Sequence, residues 1–218
     1  MPREVECKYT GVSLGALRSR LTTLAEQGNA VCHGVHLERN TVFDTPERTL
    51  RRRNTLLRLR LQAWADRETC ILTLKQPPAG EVPQGFKVWD EHETAVADYA
   101  AMDAVLHGLG YVPVFRYDKV REEWRVGQVH VVLDTLIFGD VVELEGEPEA
   151  IHAVAQQLAL PQQQATTATY HDLNRQWRAA TGQPPQDDFA FDNAQAAQHL
   201  ARIRSVAGSH CTGGPITP

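Results

Sequence analysis

Residues 57–61 read Leu57-Arg58-Leu59-Arg60-Leu61, a strict alternation of leucine with arginine. A period of two is that of a β-strand, whose successive side chains point to opposite faces, so this segment carries one apolar face and one face of guanidinium groups. The same inverted pattern recurs along the chain. Glu4, Glu6 and Lys8 share a face; Thr73 and Lys75 stand opposite Leu72 and Leu74; Lys87, Glu91 and Glu93 share another. Lys119, Arg121 and Glu123 follow, then Asp134, then Glu143 and Glu145 alternating with Val142 and Leu144. For one strand alone, a solvated sheet face laced by cross-strand ion pairs accounts for such a pattern. Repetition in strand after strand weakens that account, because solvated faces mix in Ser, Thr, Asn and Gln. Concentrated acid and base points instead to a lined interior. With Glu123 set aside as the residue nearest a strand end, seven carboxylates meet seven bases.

Working outward, strand-like alternation covers about 5–9, 35–43, 56–61, 69–75, 86–93, 119–126, 129–133 and 141–144. Eight short strands predict a mostly antiparallel sheet or barrel. Helical spacing covers about 13–27, 94–109, 148–158 and 165–180, with Ser13 as a cap and Gly28 and Gly110 as stops. The class is α+β. Turns are expected at 76–80 and 46–48. After Gly182 the composition shifts to Pro, Gln, Ala and small polar residues. This divides the chain into a main domain over 1–180 and a tail over 181–218. The tail is expected to hold one short helix near 193–206 and to be disordered from Gly208 onward.

The chain has 218 residues, 42% of them hydrophobic, and a net charge of −5. That suffices for one sizeable core and excludes general disorder. No apolar run approaches the roughly 18 residues of a membrane helix, and the N-terminus has no signal-peptide core. No membrane partner is expected, and the cytoplasm is the expected compartment. Cys7, Cys32, Cys70 and Cys211 form no metal-type pair and no disulfide framework, so reduced thiols are expected. Nucleic-acid binding through Arg51-Arg52-Arg53 is disfavoured by the acidic balance and the lack of interleaved aromatics. His33 and His36, three apart on a strand, should face opposite ways and be structural. Tyr170 and Trp177 are expected on the barrel wall. No glycine-rich phosphate loop is present.

A charged interior must be neutralised, because a buried unpaired ion costs several kcal/mol. Clustered carboxylates suit hard divalent cations, and clustered Arg and Lys suit phosphate oxygens. A metal-bound polyphosphate meets both demands.

At this point the sequence resembles a known family. Glu4-Val5-Glu6-Cys7-Lys8 is similar to the Glu-x-Glu-x-Lys signature of the CYTH superfamily, the triphosphate tunnel metalloenzymes. Phe43-Asp44-Thr45-Pro46, Leu57-Arg58-Leu59-Arg60, Leu74-Lys75, Leu133-Asp134, Phe138-Gly139 and Glu143-Leu144-Glu145 follow in the family's order. The resemblance covers about residues 1–180. It implies an eight-stranded antiparallel β-barrel with helices packed outside, its tunnel holding a triphosphate and one or two divalent metals, Mg²⁺ or Mn²⁺. By the same resemblance Glu4, Glu6, Asp134, Glu143 and Glu145 would bind metal, as would the acidic pair Glu91 and Glu93. Lys8, Arg58, Arg60, Lys75, Lys119 and Arg121 would hold phosphate oxygens, and of these Lys8, Lys75, Arg58 and Arg60 would be the catalytic residues, gripping the triphosphate in line. The family often has Arg where this chain has Trp89, and Lys87 stands in for that charge as a further triphosphate-binding residue.

The superfamily includes class IV adenylate cyclases, thiamine triphosphatases and inorganic triphosphatases. This chain has Val42-Phe43 and Leu56 where the thiamine enzymes tend to carry Tyr and an aromatic residue. That places thiamine triphosphate low. No adenine pocket is legible between the motifs, so inorganic tripolyphosphate hydrolysis ranks first and cyclisation of ATP second. A non-catalytic polyphosphate or nucleotide sensor is the remaining alternative. A homodimer is a further expectation, since such tunnel proteins often pair.

Overall fold

A computed structural model describes residues 3–206. Eight strands close into an antiparallel barrel in the order β5-β4-β3-β2-β6-β7-β8-β1, and β5 pairs back onto β1. They are β1 (Arg3–Thr10), β2 (Ala30–Asp44), β3 (Leu56–Ala63), β4 (Glu68–Gln76), β5 (Lys87–Val96), β6 (Val112–Val126), β7 (Val129–Leu136) and β8 (Gly139–Glu145). A two-residue strand, β9 (Ala165–Thr166), adds to β1 beside β8. The expected barrel is therefore observed. Its apolar faces point outward and are covered by helices, the reverse of a barrel that carries an apolar ligand.

Each cover has a local reason. Helix α1 (Leu14–Glu26) begins where the Ser13 hydroxyl accepts a hydrogen bond from the Ala16 amide. It buries Leu14, Leu17 and Leu21 together with Val131, Leu133 and Leu144 of the barrel and Ile151 of α4 (Pro148–Gln157). Each such leucine contributes roughly 1.5–3 kcal/mol. Helix α2 (Thr49–Arg52) is one turn; the Asp44 carboxylate accepts from the Leu50 and Arg51 amides at 2.8 and 2.9 Å. Arg51, Arg52 and Arg53 are exposed there, away from the barrel interior.

Two helix starts differ from the sequence expectation. Residues 94–96 extend β5 by pairing with Leu72, Ile71 and Cys70, so α3 (Tyr99–Gly108) starts only after the Asp98 cap. Residues 165–166 form β9, and the Thr169–Asp172 capping box starts α5 (Tyr170–Ala180). The expected tail helix is present as α6 (Asn193–Val206), with Ala196 and Ile203 buried against Leu37 and Ala63. The expectation for Gly208 onward lies outside the described residues. Cys7 and Cys70 are free and buried, as expected, whereas Cys32 is disulfide-bonded, which corrects the expectation of reduced thiols there. No helix among the described residues is long and apolar enough to cross a membrane.

Candidate active site: a charged tunnel

The barrel encloses a cavity of about 670 Å³. Strand β1 supplies its centre. Register sets Glu6 opposite Glu145 and Lys8 opposite Glu143 on β8, with Lys87 opposite Glu6 on β5. The Lys8 ammonium donates to Glu6 Oε1 at 2.6 Å and to Glu143 Oε1 at 2.5 Å. Lys87 lies 3.2 Å from Glu6, and Lys75 pairs with Glu4 and, at 3.2 Å, with Glu91. Glu4, Glu6 and Glu145 each offer an oxygen within 4.8 Å of the others.

Burial makes these groups contend for charge. Glu6 is pushed up to about 7, first by burial and then by the Glu143 charge, despite Lys8. Burial likewise lifts Glu91 to about 8, whereas at Glu4 burial is outweighed by the charge and hydrogen bond of Lys75 together with a hydrogen bond from Glu91, and the carboxyl is lowered. Crowded carboxylates that hold a proton near neutrality fit a divalent cation, which would relieve their repulsion.

The opposite wall is basic. Arg58 donates to the Tyr117 hydroxyl at 3.0 Å and to Thr73 at 3.2 Å, and lies 3.6 Å from Glu93. Arg60 donates to Asn40 at 3.1 Å and lies 3.2 Å from Glu38. Lys119 sits between Glu38 and Asp134, at 3.4 and 3.1 Å. Arg121 holds Asp134 through two nitrogens, at 2.8 and 2.7 Å, and reaches Glu143 at 2.9 Å. Glu38, which the sequence reading missed, is wholly buried; the charges of Arg60, Lys119 and Arg121 overcome that burial and hold it well below the usual carboxylate range. Its signal in the sequence was faint because the neighbouring outward residue, Arg39, is also charged.

Asp134 does not join the Glu4–Glu6–Glu145 group. Its oxygens are committed to Lys119, Arg121 and Tyr170, and it does not line the cavity. Tyr170 corrects an expectation, since it enters the tunnel instead of packing on the wall. Its hydroxyl meets Asp134 and, at 2.8 Å, Glu143, and its ring lies 5.1 and 4.8 Å from the ammonium groups of Lys8 and Lys119. Burial and the two carboxylates raise the phenol well above its usual range, so it remains a donor.

Strands β2, β3 and β6 each have one end near Leu56 and Phe115 and the other near Trp64 and Glu123. At the first end Tyr170, His171 and Phe189 line the cavity. The second end holds His33, Trp64, Arg67, Glu123 and His130. A bulge between Cys32 and Gly34 turns His33 into the cavity, while His36 is buried beside Glu38 and Glu123. The two histidines thus face the same interior, which corrects the simple alternation argument. A Cβ on Gly34 would meet the Trp64 ring at 3.1 Å, so glycine allows the indole to lie close. The imidazole nitrogens of His33 and Trp64 Nε1 are buried without a partner among the described residues.

Glu123 also corrects an expectation. It lies inside β6, not at its end, 3.7 Å from both His36 and His130. Burial opposes charge at this pair. The close approach of His130 and the charges of His36 and Arg121 nevertheless bring Glu123 down to about 2, and Glu123 with Glu145 brings His130 up to about 9.

Known proteins share this architecture. A candidate adenylate cyclase from Vibrio parahaemolyticus is 23% identical, with a TM-score of 0.67 over 78% of this chain and 97% of that one. The PH1819 protein of Pyrococcus horikoshii is 21% identical, with a TM-score of 0.64 over 78% and 97%. A Hippeastrum candidate adenylyl cyclase, for which a dominant triphosphatase activity is described, is 19% identical, with a TM-score of 0.56 over 87% and 100%. None of the curated proteins matches significantly. The family model of the CYTH domain matches residues 2–182. With most of its length so matched, and with the closed barrel that the charged alternation called for, the chain belongs to the CYTH domain family.

Proposed function

We propose that the protein is a metal-dependent phosphohydrolase that acts on a triphosphate, inorganic tripolyphosphate, held inside the barrel. The observation that carries this reading is the pairing within one cavity of a convergent carboxylate trio, Glu4, Glu6 and Glu145, with the bases Lys8, Arg58, Arg60, Lys75, Lys87 and Arg121. Such a set serves phosphoryl transfer, in which catalysis is mostly positioning and charge stabilisation. The trio would hold Mg²⁺ or Mn²⁺, which supplies charge neutralisation and an acidified water. Lys8, Lys75, Arg58 and Arg60 would grip phosphate oxygens and align the chain for attack. Lys119, which lines the same cavity, would add its charge there, its ammonium fixed by Glu38 and Asp134. Glu143 would orient Lys8 and Arg121, and Glu91 and Glu93 would do the same for Lys75 and Arg58.

The test is release of phosphate from tripolyphosphate, ATP and thiamine triphosphate side by side, with Mg²⁺ and with Mn²⁺. Phosphate from tripolyphosphate is expected, and its loss in Glu4→Ala and Glu6→Ala at retained circular dichroism. Undiminished turnover in either variant would overturn the assignment. Cyclic AMP and pyrophosphate from ATP would mark a cyclase instead, and binding without turnover a sensor.

A further inference from the structure

The family match ends at residue 182, yet the segment that follows reaches the tunnel. Buried Arg178 donates to the Pro184 and Asp188 carbonyls, at 3.2 and 3.4 Å, and Asn174 donates to the Gln186 carbonyl at 3.0 Å. The Arg116 amide donates to Asp188 Oδ1 at 2.7 Å, and the Phe189 amide donates back to the Arg116 carbonyl at 3.0 Å. Beyond it, the Phe191 amide donates to Asp118 at 3.2 Å, and α6 packs on β2. Pinned on both sides, Phe189 is 1% exposed. Its ring stacks on Tyr117 at 4.9 Å and lies 5.7 Å from Phe138, while Phe115 meets His171 at 5.0 Å. Tyr117 is the residue that holds Arg58.

We propose that Phe189 determines specificity by sealing this end of the tunnel, so that a triphosphate lies with a bare terminal phosphate towards Phe189 and any substituent towards the Trp64–Arg67 mouth. The proposal rests on the reading of the cavity as a triphosphate site. A bare phosphate needs only the charged residues short of the ring; a sugar or base on that phosphate would have to displace Phe189 from its stack. The far mouth imposes no such limit, because the Arg67 side chain there is 47% exposed. The ligands accepted are then triphosphates substituted at neither end or at one end. Those substituted at both ends are refused.

The experiment is calorimetric binding of tripolyphosphate, ATP and diadenosine triphosphate to the full chain, so that turnover is not required. The wild type is expected to bind the first two and to bind diadenosine triphosphate at least about tenfold more weakly than ATP, the scale on which a pocket wall discriminates. Phe189→Ala should shrink that ratio about tenfold. Arg178→Met, which loosens the segment without lining the tunnel, should shrink it less. Phe189→Leu should keep it. Should the alanine variant fail to fold, Phe189→Val reads the same ratio. Wild-type protein that binds diadenosine triphosphate as tightly as ATP, or a ratio unmoved in folded Phe189 and Arg178 variants, would overturn the proposal while the triphosphate reading stands. Failure of the wild type to bind any of the three would overturn that reading itself.

Discussion

At one end of the tunnel Tyr170 meets two carboxylates and Phe189 lies on Tyr117; at the other, the His33 nitrogens and Trp64 Nε1 are buried without a partner. The first end is closed by side chains that arrive from the C-terminal part of the chain. The second is formed by strand ends and the β3–β4 turn, and its residues, Glu123 apart, are partly buried or exposed. The contrast shows how one barrel can join a fixed end that is paired except at Arg58 Nε to one with hydrogen-bonding capacity to spare. Buried polar groups that are fully paired rigidify a site, whereas unpaired ones are costly until something meets them.

The largest effect should come from breaking the satisfied side. Asp134→Ala would leave Lys119 and Arg121 short of an anion, and a loss of about 3–5 kcal/mol is expected in urea unfolding. A loss below about 1 kcal/mol would mean that Asp134 does not anchor these bases.

A smaller effect is expected at the open end, and it should depend on pH. His130 is raised from 6.5 to about 9, so its contribution is complete below 6.5 and is lost as pH rises through 9. Glu123 is lowered from 4.5 to about 2, so its contribution is complete above 4.5 and is lost as pH falls through 2. The pair therefore stabilises fully only between about pH 4.5 and 6.5. The stability gap between wild type and His130→Gln, on the order of 2 kcal/mol in that window, should close between pH 6.5 and 9. A gap that is flat with pH would show that the ion pair does not form.

The smallest effect belongs to Trp64→Phe. This substitution gives up some apolar area but also removes a buried N–H that has no partner, and the two nearly offset. A change below about 1 kcal/mol in the same unfolding experiment is expected. A loss of several kcal/mol would show that the indole N–H is engaged after all, and the contrast between the ends would fall.

Much of the lining was legible because alternation is local. Arg58 and Arg60 between leucines, or Glu143 and Glu145 beside Leu144, declare their face from neighbours two residues away. Glu38 did not, since Arg39 removes the apolar contrast on the outer face. His33 was misread because a one-residue bulge reverses facing and leaves no mark in the spacing. Tyr170 and Phe189 were illegible for another reason: neither lies on a barrel strand, so no alternation around them marks a tunnel face. Glu123 was discounted on an assumed strand end that pairing with β2 and β7 carries further.

The sequence by itself determined that the chain would form strands with one charged face, and hence an interior that asks for cations and phosphate. Only the tertiary structure decided which charges meet. Glu6 and Glu145 are far apart in the chain and become neighbours through the β1–β8 register, and Asp134 is turned away from them by Arg121 and Tyr170. Side-chain facing follows from backbone geometry within one strand, whereas convergence, burial and the resulting proton affinities follow from how distant strands close on each other.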